Sequence, residues 1–105
     1  MNRLFVSAAL LPLVWAAAAQ AETKIATAVT APVKTSTATA AGTADDLTID
    51  TAGLVKPTAA GAAVTLDTNN KVSNLGTIAF TGIDNATGVL VLGGGTGSVS
   101  NSSAI

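Results

Sequence analysis

From residue 45 onward, apolar and polar positions alternate in short bursts. Leu47-Thr48-Ile49-Asp50 and Ala63-Val64-Thr65-Leu66-Asp67 each have the period of a half-buried strand. Val72, Asn74, Gly76, Ile78 and Phe80 fall on one face at period two, and Gly88-Val89-Leu90-Val91-Leu92 is a short continuous apolar strand. Breaks separate these runs. Pro57 interrupts at Lys56–Gly61, where it cannot donate to a ladder. Asn69-Asn70 is a turn pair, Thr81–Thr87 carries Gly82, Asp84 and Asn85, and Gly93–Gly97 is a glycine-rich loop. The strands are short and evenly spaced, with no helical periodicity beyond Ala21.

Two of these stretches echo each other. Val72-Ser73-Asn74-Leu75-Gly76-Thr77-Ile78 superposes on Val99-Ser100-Asn101-Ser102-Ser103-Ala104-Ile105 when Asn74 is laid on Asn101, with Val, Ser, Asn and Ile in register. The same offset lays Val64 on Val91. A spacing of this order marks a solenoid, whose coils stack one on another. Val72 is then expected under Val99 and Ile78 under Ile105, with Asn74 under Asn101 so that the amides donate and accept along a column. The fold class expected is all-β: short parallel β-solenoid (β-helix) coils over 45–105, incomplete at the C-terminus because the repeat stops partway at Ile105. An exposed strand edge there leads us to expect that the isolated mature chain folds poorly or associates end to end.

Residues 1–44 are different material. Met1-Asn2-Arg3 opens an uncharged apolar run from Leu4 to Ala19, followed by the small-x-small site Ala19-Gln20-Ala21, the layout of a cleaved signal peptide over 1–21. The run is too short for a bilayer span, which takes about 20 residues, and it contains Pro12. Residues 22–44 open with a weakly alternating candidate strand at Thr23–Thr30. A Thr/Ala/Ser tract follows that has too little to bury, so the segment reads as a flexible tether, with an N-terminal capping strand as the alternative.

Composition narrows the chemistry. Removal of the leader takes Arg3 and leaves four lysines against six acids, too little positive charge to neutralise phosphates, so nucleic acid is not an expected partner. The chain has no Cys and no His, which excludes thiol nucleophiles, serine triads and the usual zinc ligands. Asp45, Asp46 and Asp50 are close enough to invite a calcium reading, but they lack the spacing of a calcium loop and fit a solvated strand end better. Gly93-Gly94-Gly95-Thr96-Gly97-Ser98 lacks the lysine of a phosphate loop and no helix follows it, so it reads as a loop between coils. Asn85-Ala86-Thr87 and Asn101-Ser102-Ser103 are N-glycosylation triplets that matter only in a eukaryotic secretory host. No cofactor and no metal are expected.

The pattern Asn-x-Gly-Thr-Ile, preceded by short Val/Leu strands and Gly-rich loops, resembles the passenger repeats of Gram-negative autotransporters and related β-helical surface proteins. Asn74-Leu75-Gly76-Thr77-Ile78 carries the match; Asn101-Ser102-Ser103-Ala104-Ile105 keeps the Asn and Ile but lacks the Gly. The resemblance covers about Asp45 to Ile105. It implies an exported structural or adhesive surface segment, the N-terminal part of a passenger, with no catalysis of its own. The partners implied are further C-terminal coils, a translocating β-barrel, and a host surface or other cells. The location implied is the cell surface or outer membrane, or the periplasm if these residues are the whole product. Two other readings stand beside it: the first coils of a β-helix polysaccharide hydrolase or lyase whose catalytic coils lie beyond residue 105, and a small periplasmic β-sandwich.

Overall fold

A computed structural model describes residues 22–105, and the leader assigned to 1–21, with its site at Ala19 and Ala21, lies outside the described residues. The fold is a parallel β-solenoid of about three coils. Its strands are β1 (Thr23–Ile25), β2 (Ala28–Val29), β3 (Val33–Lys34), β4 (Leu47–Ile49), β5 (Leu54–Val55), β6 (Gly61–Leu66), β7 (Lys71–Asn74), β8 (Thr77–Ile78), β9 (Ala86–Val91) and β10 (Ser98–Asn101), with a 3-10 turn at Thr35–Thr37. Every third strand joins the same sheet: β1-β4-β7-β10 form sheet A, β2-β5-β8 sheet B and β3-β6-β9 sheet C. Each coil visits the three sheets in turn and returns one strand spacing higher, about 4.8 Å. The strand pairs are parallel, which sets aside the β-sandwich, a fold of antiparallel sheets.

Stacking in register makes columns of like residues inside. Leu47 lies opposite Val72 and Val72 opposite Val99 in sheet A, and Val29, Val55 and Ile78 follow one another in sheet B. Val33, Val64 and Val89 do so in sheet C. Leu47, Ile49, Val55, Val64, Leu66, Val72 and Ile78 are all buried in the one core that these columns form. Full burial of such a side chain contributes roughly 1.5–3 kcal/mol, so the core rests on a few aliphatic stacks and not on aromatic mass.

The repeat is less regular than a single fixed period. In sheet A the spacing grows from Thr23–Leu47 to Leu47–Val72 to Val72–Val99, whereas in sheet B Val55–Ile78 is shorter than Val29–Val55 and in sheet C Val64–Val89 is shorter than Val33–Val64, so no single period holds around the coil. Val64 pairs with Val89 and Val91 with Leu66, because the extra residues of the upper coil lie in the loop between β9 and β10; the expected Val64–Val91 match is corrected to these two pairs. The ladder fixes only the strands, so loops between them vary in length without breaking the stack. The period-two run from Val72 to Phe80 is also not one strand. It turns a corner at Leu75-Gly76, where the chain leaves sheet A for sheet B, and Val72, Asn74 and Ile78 stay inward on both sides of the bend. Among the described non-glycine residues the left-handed backbone occurs at Asn85 (φ 58°), not at the Asn69-Asn70 turn.

The largest correction concerns residues 22–44. The tether reading gives way to its alternative, strand at the N-terminal end of the stack: the segment holds β1 and β2 within the candidate strand Thr23–Thr30, then β3 and the 3-10 turn, and forms the first coil. Its small residues suffice because β4, β5 and β6 supply the apolar partners: Ile25 sits against Ile49, Val29 against Val55 and Val33 against Val64.

The corners carry the backbone ladder onward. Leu75 N–H donates to Ile49 O at 2.8 Å, Thr77 N–H to Gly53 O at 3.1 Å and Ser102 N–H to Asn74 O at 2.9 Å. Such close approach leaves no room for a side chain at Gly76. A Cβ there would lie 2.2 Å from Asp50 O and 2.4 Å from Gly53 O, both backbone atoms of the coil below. Gly93, in the outer loop, meets nothing within 4 Å. Gly76→Ala is therefore expected to destabilise the fold by about 1–3 kcal/mol, as overpacking does. Gly93→Ala is expected to stay within about 0.5 kcal/mol. Urea melts of the two variants followed by far-UV circular dichroism measure the difference; equal midpoints would contradict the corner geometry.

Candidate functional site: the amide corner and the upper end of the stack

Asn74 ends β7 at the corner and is 1% exposed. A buried carboxamide needs partners for its carbonyl and for both its N–H bonds. Its Oδ1 accepts the Gly76 N–H at 3.1 Å, closing a local turn. Its Nδ2 donates to Asn101 Oδ1 at 2.8 Å and to Ala104 O at 2.9 Å. Asn101 repeats the arrangement one storey up, where its Oδ1 accepts the Ser103 N–H at 3.4 Å and its Nδ2 donates to Ser103 O at 3.1 Å. The register places Val99 over Val72, while the bridge between Thr77 and Ala104 sets Ile105 above Ile78. So Val72, Asn74, Gly76, Ile78, Val99, Asn101 and Ile105 occupy one corner of the stack. Below Asn74 the column changes character, because the opposite residue is Ile49.

A second polar cluster ties the first coil to the next corner. Asp67 accepts the Ser36 hydroxyl at 2.6 Å, the Ser36 N–H at 2.9 Å and the Thr35 hydroxyl at 3.0 Å. The hydroxyl and N–H of Ser36, with help from Thr35, hold its carboxyl below the ordinary range, against a smaller opposing effect of burial. Asp46 is also lowered, first by the Lys71 N–H at 2.9 Å and then by the Asn70 amide at 3.0 Å. Asp45 accepts the Thr23 hydroxyl at 3.0 Å. Asp45 and Asp46, two of the carboxylates considered for calcium, thus serve as acceptors between coils, and no group of three His, Cys, Asp or Glu converges among the described residues. Local patterning could not reveal these contacts, because Asp67 and Ser36 are 31 residues apart.

The glycine-rich loop stacks on the corner beneath it. Thr96 N–H donates to Asn69 Oδ1 at 2.8 Å, and a Cβ on Gly97 would lie 2.3 Å from Asn70 O. A groove between the two corners is lined by Asp67, Thr68, Asn69, Leu92 and Gly93–Gly95. Its one carboxylate is already engaged by Ser36 and Thr35, so the groove offers no free acid.

The upper end is where burial fails. Val72 is 1% exposed but Val99 above it is 37%; Ile78 is 1% and Ile105 is 57%; Leu66 is 2% and Val91 is 57%. Leu90 and Leu92 are exposed as well, so β9, which holds Gly88–Val91 of the apolar run, has little above it. Ile105 reaches back over Gly88, where a Cβ would lie 2.4 Å from its Cγ2.

No family profile, no curated protein and no solved structure matches this chain. The functional reading therefore comes from the stack and the sequence themselves.

Two sets of measurements probe these corners. Asn74→Asp exchanges two N–H donors for an acceptor facing Asn101 Oδ1 and Ala104 O, and is expected to cost about 2–4 kcal/mol. Asn101→Asp, at an exposed position, should cost about 1 kcal/mol or less in the same denaturant melt. Asp46 and Asp67 also make stability depend on pH. Both are lowered in the folded chain, so their contribution is complete above the unfolded carboxylate range near pH 4 and is lost as pH falls through the lower folded values. The melting midpoint is expected to drop as pH is taken from about 4.5 to about 2, and Asp67→Asn with Asp46→Asn should flatten that slope. Both groups are near the surface, so solvent screening keeps the effect modest.

Proposed function

We propose that this chain is an exported structural or adhesive surface segment of the autotransporter-passenger kind, acting through its stacked coils and without catalysis of its own. The observation that carries the proposal is the coil-on-coil stack, with the buried Asn74 bonded to Asn101 one storey up and with its aliphatic columns. A stack of this kind is a spacer: each coil adds height and presents the same faces again. On the outward face of sheet A, Lys24, Thr48, Ser73 and Ser100 follow one another in register; Thr48 is covered and bonded to Glu22, which leaves Lys24, Ser73 and Ser100 to meet a polar partner. The leader layout at Ala19-Gln20-Ala21 supports export, and the absence of His, Cys and Tyr from the whole sequence supports a role without chemistry. In this reading a longer passenger supplies further coils and a translocating β-barrel and sits at the cell surface; these coils by themselves stay in the periplasm.

An epitope inserted after Gly94, in a Gram-negative host carrying the gene in its native context, tests the proposal. Processing to Glu22 by intact mass, with the epitope reached by antibody on unbroken cells, is the expected result. An unprocessed chain reached only after lysis would overturn it.

A further inference from the structure

At the corner from sheet B to sheet C the coils differ in length. Residues 30–32, 56–60 and 79–85 make this turn in the first, second and third coils. The second and third turns start and end in register, since Val55 pairs with Ile78 and Gly61 with Ala86. The backbone pins both ends as well: Ala79 N–H donates to Val55 O at 3.0 Å and Gly61 N–H to Asn85 O at 3.1 Å. Seven residues therefore cross a gap that five cross in the coil below, and the surplus bows away from the stack. Gly82 (φ 65°) and Asn85 (φ 58°) supply the left-handed backbone of that bow. Beneath it lies a recess of about 390 Å³, lined by Thr30, Lys56, Pro57, Thr58, Thr81 and Ile83. Small-ligand sites span about 300–1,000 Å³, so the space is sufficient for one. The recess opens on the side of the stack, so a coil laid on top of residues 79–85 leaves it free. Lys56 is the one charged side chain in its wall, and Asp84, the carboxylate of the bowed loop, is not part of it. Thr30, Thr58 and Thr81 bring hydroxyls that both donate and accept. Pro57 is buried and Ile83 half-buried, and together they form an aliphatic patch.

We propose that this recess binds an acidic sugar unit of a polysaccharide, a uronate, with its carboxylate on the Lys56 ammonium. A single cation matches one carboxylate; a polymer dense in phosphate or sulfate needs several. The three hydroxyls match a ligand that carries hydroxyls of its own, and Pro57 with Ile83 receives the C–H face of the sugar ring. Four of the six lining residues are exposed, so the recess is open and a long chain can lie across it. The inference gives the adhesive role a ligand but rests on the corner alone. Its failure would leave export and surface display, which the epitope reads, as they stand.

The test follows backbone amide shifts of the full chain, nitrogen-15 labelled and purified in the form that accumulates in a bacterial host, as trigalacturonate is added. Saturable shifts are expected at Lys56, Thr58, Thr81 and Ile83. The neutral galactose trisaccharide should bind about tenfold more weakly or worse. Lys56→Gln should weaken trigalacturonate binding by about tenfold, the scale of one charge-assisted hydrogen bond, and leave the neutral sugar unchanged. Lys34→Gln, at an exposed lysine outside the recess, should bind as the parent chain does. Circular dichroism should show the same β spectrum for both variants. An absence of saturable shifts would overturn the proposal. So would shifts spread equally over Lys24, Lys34 and Lys71, equal binding of the neutral sugar, or Lys56→Gln binding as tightly as the parent.

Discussion

Asn74 places a primary amide where water does not reach, and much of the upper stack follows from satisfying it. Its carbonyl takes the N–H of Gly76, which fixes the turn from sheet A into sheet B. Its amino group takes Asn101 Oδ1 and Ala104 O, which fixes the height and register of the next coil. An amide half satisfied in this place would cost more than a methyl group in its stead. The corner therefore admits one arrangement of the coil above it, and that specificity is what a slip of the strand along its neighbour would lose. Gly76 completes the constraint, because the turn passes too close to the Asp50 and Gly53 carbonyls for any side chain.

How much of this could be read from the chain depends on whether a rung repeats its neighbour. The rungs β7 and β10 carry the same Val-Ser-Asn at the same corner, so their register is visible as an echo in the sequence. In sheet C the match at that offset, Val64 with Val91, misleads: Val64 meets Val89 because the loop before β10 is longer than the one before β7, and the extra residues never enter the ladder. Periodicity also cannot show a bend. The alternation from Val72 to Ile78 persists through the Leu75-Gly76 corner, so two strands in different sheets look like one.

The first coil was hidden for another reason. Its strands are two or three residues long, and its apolar groups are adequate only beside those of β4, β5 and β6. The rest of its hold is polar and distant in sequence. Ser36 and Thr35 reach Asp67, Thr23 reaches Asp45, and Thr48 donates to Glu22 Oε2 at 2.7 Å. Each of these residues alone is unremarkable for a loop. Only the height of one coil brings them together, so a stretch that looks too polar to fold by itself becomes ordered on the template above it.

Because each rung pairs only with the rungs beside it, no strand pairing among the described residues ties the bottom of the stack directly to its top. Pulled by its two termini, the chain should yield one storey at a time. Each event would free the length of a single coil, such as the stretch from Leu47 to Val72 or from Val72 to Val99, in place of one rupture of the whole. The extension trace of such a molecule would be a staircase, and its first step would come from the storey with the least cover, the one that carries Val99 and Ile105.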